Sequence, residues 1–220
     1  MLDHADLFGD FDPSLVQAIE DRYRADLQVA GEARAVRRHS AHQLRRAKAE
    51  SDLAGLLPAR FATGESWHVI SHGNIDALSY LRHALTAVSH FDFVLLSTWC
   101  IATEDMVELQ AWLDTGSIDE LTLAVGEIFP GQYAAEYTLA LQLADTYGVR
   151  LIVSRNHSKV IVARHIADDY HLVMEGSANV NTNPRIEQTA IHCDRALADF
   201  YVDFYHGLRS IDKRPALPAG

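Results

Sequence analysis

Residues 156–160, Asn-His-Ser-Lys-Val, set a histidine and a lysine two positions apart between two apolar runs, Val-Arg-Leu-Ile-Val-Ser (149–154) and Val-Ile-Val-Ala (160–163). On extended backbone that spacing puts both side chains on one face. Further along, Gly-Ser-Ala-Asn-Val-Asn (176–181) repeats the spacing with Ser177 and Asn179. If the two segments belong to neighbouring strands, an imidazole, an ammonium, a hydroxyl and an amide converge on one spot. That set suits a phosphodiester. The imidazole attacks, the ammonium neutralises a non-bridging oxygen, and the two neutral groups fix the remainder.

The elements around these residues read as strands alternating with helices. Strands are expected at 67–71, 91–101, 118–129, 149–154, 159–163 and 171–175. Helices are expected at 74–88, with Asn74 as cap, and at 104–116, 131–148 and 195–208. The runs at 159–163 and 171–175 read as a hairpin joined by the polar turn Arg-His-Ile-Ala-Asp-Asp-Tyr. Alternation of this kind predicts an α/β sandwich whose mixed β-sheet is flanked by helices. Residues 14–57 read as helix, with Asp12 or Ser14 at the start and Pro13 near the first turn. Their apolar residues are mostly alanine, too little surface for a core of their own. The expected organisation is an N-terminal helical, partly basic arm (1–60), one α/β domain (61–213) and a flexible tail (214–220).

His157-Ser158-Lys159, then Gly176-Ser177-Ala178-Asn179, then Glu187 in Arg-Ile-Glu-Gln resemble the phospholipase D superfamily, whose signature is H-x-K-x4-D-x6-G-S-x-N, often with a later glutamate. The order of elements over about 61–210 agrees with that family's domain. The resemblance implies a phospholipase D-like fold and a metal-independent phosphoric diester hydrolase that needs no cofactor. One His157 attacks phosphorus to give a phosphohistidine. A second motif histidine protonates the leaving oxygen and then activates water. Lys159 and Asn179 hold phosphate oxygens, Ser177 supports them, and Glu187 orients the histidine through its other ring nitrogen. The chain carries only one such set. The resemblance to single-motif bacterial endonucleases therefore implies a homodimer with the active site at its two-fold interface. Where the family has its aspartate this chain has Arg164, and the stretch between Lys159 and Gly176 is five residues longer than the pattern. Either an insertion in the hairpin turn has displaced the acid to Asp169, or the acid is lost.

Charge bears on the substrate. The formal net charge is −11, so binding to nucleic acid cannot rest on the chain as a whole. The balance is uneven: residues 22–60 carry nine Lys/Arg against four acids. Arg34, Arg37, Arg38, Arg45, Arg46 and Lys48 form a candidate nucleic-acid-binding face, the bland alternative being a solvated helix surface. The resemblance to the short single-motif form of the superfamily favours a nuclease over a lipid hydrolase. The alternatives are a lipid or small-molecule phosphodiester hydrolase, and a catalytically silent binding or structural protein with the same fold. No apolar run reaches the ~18 residues of a membrane span. The acidic start, without a signal-peptide core, predicts a cytoplasmic protein. Cys100 and Cys193 read as buried thiols. His165, His171 and His192 share no ligand spacing, so no metal is expected. Thr98, Trp99 and Glu127, at strand ends, are candidates to line the cleft.

Overall fold

The computed structural model describes residues 48–49, 51–181 and 185–212. Arg34, Arg37, Arg38, Arg45 and Arg46, the expected helix up to residue 47 and the tail 214–220 lie outside them. The last turns of that helix are present: residues 51–56 are helical, and Ala49, Leu53 and Leu57 are buried in the core. Lys48 is exposed.

Among the described residues seven strands form one sheet: β1 (Ser66–Ser71), β2 (Phe91–Ser97), β3 (Ile118–Gly126), β4 (Arg150–Ser154), β5 (Val160–His165), β6 (Tyr170–Gly176) and β7 (Glu187–Cys193). Their order is β1-β7-β6-β5-β2-β3-β4. β2, β3 and β4 are parallel, and every other pairing is antiparallel. The helices are α1 (Ala77–Val88), α2 (Thr103–Asp114), the single turn α3 (Phe129–Gln132), α4 (Ala134–Tyr147) and α5 (Arg195–Gly207). Residues 66–207 form an α/β sandwich with a mixed sheet, as the alternation of segments predicts.

The apolar runs without polar alternation are explained by burial on both faces. Along β5, Ile161 and Ala163 join the core under α1, α2 and α4, while Val160 and Val162 face the other way, under α5. On that second side Ala198, Val202 and Tyr205 of α5 cover Leu95, Ala124, Ile152 and Val173. A strand buried on both faces can spare no polar position, so polar residues collect where β5 and β6 end. The hairpin is regular: Val160 pairs with Glu175 and His165 with Tyr170.

Several expectations are corrected. The N-cap of α1 is Asp76, not Asn74. Its carboxylate accepts from Ser79 N at 2.8 Å and Ser79 Oγ at 2.9 Å, while Asn74 donates to Asp52. The strand expected over 91–101 ends at Ser97, where the chain turns to meet residues 179–180: Ala102 N donates to Val180 O at 3.1 Å. The strand expected over 118–129 ends at Gly126, and Phe129–Gln132 is a helical turn. β7 was not anticipated, although it lies inside the sheet between β1 and β6. Both cysteines are buried and unbridged. Among the described residues no helix is long and apolar enough to cross a membrane.

Candidate active site

The two motifs meet at one end of three neighbouring strands. Gly176 N donates to Lys159 O at 3.1 Å, which locks the start of β5 to the end of β6. One residue on, Ser177 N donates to Gln188 O at 3.0 Å, which adds the start of β7. Glycine is required at 176. A Cβ there would stand 2.1 Å from Gln188 O, so the close β6–β7 approach depends on a missing side chain.

Residues 156–159 run in extended style ahead of β5, and their side chains alternate. Asn156 and Ser158 turn toward the α5 side. Asn156 Nδ2 donates to Ser97 Oγ at 2.9 Å, and its Oδ1 accepts from Ser158 N at 3.1 Å and Ser158 Oγ at 2.6 Å. Tyr205 of α5 donates to Ser97 Oγ at 2.7 Å and also contacts the Ser158 hydroxyl. His157 and Lys159 turn the opposite way. Lys159 Nζ lies 3.1 Å from His157 Nδ1 and donates to His157 O at 2.6 Å. His157 is exposed, with the half-buried Trp99 ring 5.4 Å away at 47°. Trp99 itself occupies the notch beside Gly126, where a Cβ would meet its ring at 2.8 Å.

Lys159 is only 8% exposed. Burial lowers its pKa, opposed by the nearby Cys100 and Glu187. Tyr80, Met174, Ala178 and Thr189 line a small cavity beside it. A poorly hydrated ammonium of this kind gains more from a phosphate oxygen than an exposed one does.

Ser177 donates to the Glu187 carboxylate and accepts from Gln188 N at 3.0 Å. Asn179 is tied at both ends. Its carbonyl accepts from Ala77 N at 3.1 Å, at the start of α1, and its Oδ1 lies 3.5 Å from Thr98 Oγ1. The fully buried Thr98 also donates to Cys100 O at 2.7 Å and accepts from Val180 N at 3.3 Å, which fixes the loop bearing Asn179. Lys159, Ser177 and Glu187 thus share one corner, His157 stands over Lys159, and Asn179 lies alongside.

The expected roles of Glu187 and Asp169 change. Glu187 engages Ser177, and the His157 Nδ1 contact belongs to Lys159 instead, because Glu187 opens β7 next to the Ser177 backbone. Asp169 stands in the turn at the far end of the β5–β6 hairpin, at φ +50°, bound to His171 at 2.8 Å and to Arg195. Six strand residues at about 3.3 Å each separate the two ends of β5, roughly 20 Å. Asp169 is therefore not a group of this corner. Arg164, in the motif acid's position, lies 2.6 Å from Asp199 of α5. His165, His171 and His192 do not converge: His165 nears Asp92, His171 meets Asp169, and His192 meets Ser66. Of the cleft candidates, Thr98 and Trp99 adjoin the site, whereas Glu127 is exposed. Asn156, Ser158 and Tyr205 were missed as positioning residues. Their signal was the other half of the alternation in Asn-His-Ser-Lys.

No family model matches the chain, and no curated protein matches it. Among solved structures, polyphosphate kinase from Porphyromonas gingivalis is similar over 70% of this chain and 24% of its own, at 16% identity and a TM-score of 0.48. The chain spans about a quarter of that kinase's length.

Proposed function

We propose that this chain is a phosphodiesterase of the phospholipase D-like type, a metal-independent nuclease working as a homodimer through a phosphohistidine. The observation that carries the reading is the contact of the buried Lys159 with His157 at the strand end that Gly176 ties to the segment bearing Ser177 and Asn179. An ammonium there has no carboxylate within salt-bridge distance among the described residues. An incoming phosphate supplies the missing anion.

In the proposed reaction Lys159 first leaves His157 Nδ1 for a non-bridging oxygen. The imidazole then carries its proton on Nδ1 and attacks phosphorus with the Nε2 lone pair. An N–P bond forms and the bond from phosphorus to the leaving oxygen breaks. His157 of a second copy, protonated, gives its proton to that oxygen. It then takes a proton from water, and the resulting hydroxide attacks phosphorus. The N–P bond breaks, releasing the phosphate monoester and restoring His157. Neither single copy holds both histidines. The basic surplus within residues 22–60 is the part of the chain suited to following a nucleic-acid backbone.

The test uses the full chain with linear DNA and with an aryl phosphodiester, in the presence of a chelator. The expected result is hydrolysis by the wild type and a loss of ~10²–10⁴-fold in His157→Ala. DNA labelled at its phosphates and quenched in alkaline denaturant, in which a phosphohistidine survives, should leave label on wild-type protein and none on His157→Ala. Sedimentation should give twice the 24.5 kDa chain mass. Equal rates for wild type and His157→Ala on both substrates would overturn the catalytic reading. A strict monomer with full activity would overturn the two-histidine mechanism. Activity on the aryl diester alone would move the substrate from nucleic acid to a small phosphodiester.

A further inference from the structure

A second group of chemically capable side chains lies at the other end of the sheet. The register Phe93↔Arg164 between β2 and β5 makes Asp92 and His165 the next cross-strand neighbours. The register Phe93↔Glu120 between β2 and β3 brings Asp119 beside Asp92. His90 enters just ahead of β2, its ring edge-on to His165 with centroids 5.6 Å apart. One donor atom from each of His90, Asp92 and His165 lies within 4.8 Å of the others, and all three residues are half-buried.

We propose that His90, Asp92 and His165 bind a divalent transition metal of the zinc class. Two imidazoles and one carboxylate form the nitrogen-rich, oxygen-poor set that zinc accepts and that magnesium and calcium do not favour. Ligands at about 2.0–2.1 Å in a tetrahedron stand roughly 3.3 Å apart. His165 Nδ1 and Asp92 Oδ2 stand 3.5 Å apart. His165 Nδ1 is also buried without a hydrogen-bond partner, a cost that a metal removes.

The outer contacts match those of metal-binding histidines, whose second nitrogen meets a carboxylate. His90 Nε2 lies 3.0 Å from Asp119 Oδ2, and His165 Nε2 lies 3.9 Å from Asp168 Oδ2. The Asp119 contact occupies His90 Nε2 and leaves its Nδ1, and the unpartnered His165 Nδ1 is the second nitrogen available to a metal. Asp92 is oriented by Ile166 N, which donates to its Oδ2 at 2.6 Å. His165 and Lys159 stand at opposite ends of β5, roughly 20 Å apart. The metal is therefore structural. It clamps β2 to β5 and takes no part in the phosphodiester reaction.

The experiment titrates Co²⁺ into the full chain freed of metal by chelator, followed by visible ligand-field absorption, with Zn²⁺ as competitor. The expected result is saturation at one equivalent per chain and displacement by Zn²⁺. His165→Ala and His90→Ala should each weaken binding by at least ~10-fold, while His157→Ala binds like wild type. Thermal unfolding without metal checks that each variant is folded. His90→Ala, altered in the more exposed ring, serves if His165→Ala is not. Absence of saturable binding to wild type, or equal binding by His90→Ala and wild type, would overturn the proposal.

Discussion

Gly176→Ala is the most direct probe of how the candidate site is assembled. The added methyl would lie 2.1 Å from Gln188 O, 3.0 Å from Thr189 Cα and 3.1 Å from Gln188 C. All three are backbone atoms of β7, so no side chain can swing aside. To reach an ordinary contact the strands must part by about 1 Å or more, where Gly176 pairs with Thr189 and Ser177 N bonds Gln188 O. Overpacking of this kind costs ~1–3 kcal/mol, and weakening one backbone hydrogen bond adds ~0.5–1.5 kcal/mol. Reduced freedom of the unfolded chain returns ~0.4–1 kcal/mol. The expected net loss is about 2–3 kcal/mol, read by urea unfolding as a midpoint about 1 M lower with an unchanged slope. Phosphodiester hydrolysis should fall further than stability explains under conditions where the variant is folded, because Lys159 and Ser177 hang on the same β6 residues. A variant within 0.5 kcal/mol of wild type and fully active would refute the claim that this close approach builds the site.

Other substitutions separate the site from its surroundings. Burial lowers the Lys159 pKa, and the reaction needs its charged form. In pH profiles kcat/KM should therefore decline on the alkaline side below the ordinary lysine value of about 10.4, while Lys159→Arg, which stays charged, should lose that limb; an unchanged limb in the variant would exclude Lys159 as its origin. Arg164→Asp puts an acid at the aspartate position of the signature this chain resembles but sets it against Asp199, so it should cost about 1 kcal/mol in urea unfolding without raising activity, and a gain in rate would contradict the placement described. Asp169→Asn tolerates the left-handed backbone and removes the charge facing Arg195 and His171; its hydrolysis rate should match wild type, and a drop of ten-fold or more would return Asp169 to the site.

The part of the molecule legible in the sequence was the part where local pattern and tertiary demand agree. Two faces of burial make β2, β5 and β6 continuous apolar runs, and those runs stand out. The juxtaposition of His157-Lys159 with Ser177-Asn179 followed from strand period and one hairpin. β7 escaped because Glu187-Gln188-Thr189 opens it with polar residues: Glu187 and Ser177 pair with each other, and Gln188 lies on an exposed stretch beside β1. The choice between an acid displaced to Asp169 and a lost acid stayed open in the sequence for a related reason. Spacing along a chain counts residues, but a hairpin turn sends the count back the way it came, and Asp169 ends up a strand's length from Lys159. The partners of Glu187 and of His157 Nδ1 depend on distances across strands, which no linear pattern contains.

The position of β7 also sets the order in which the molecule can assemble. Among the described residues β1 pairs with β7 alone, with Ser66 opposite His192, so those hydrogen bonds wait until more than a hundred further residues have been made. Until Cys193 has left the ribosome, β6 lacks one neighbour and β1 lacks its sole one, and both present open edges. Loop closure over that span is slow compared with hairpin formation. The β2–β3–β4 layer and the β5–β6 hairpin can form early, and closure by β7 then completes the sheet and carries Glu187 to Ser177. The same late step that completes the sheet completes the candidate site, so a nascent chain cannot hold it assembled before Glu187–Cys193 have emerged.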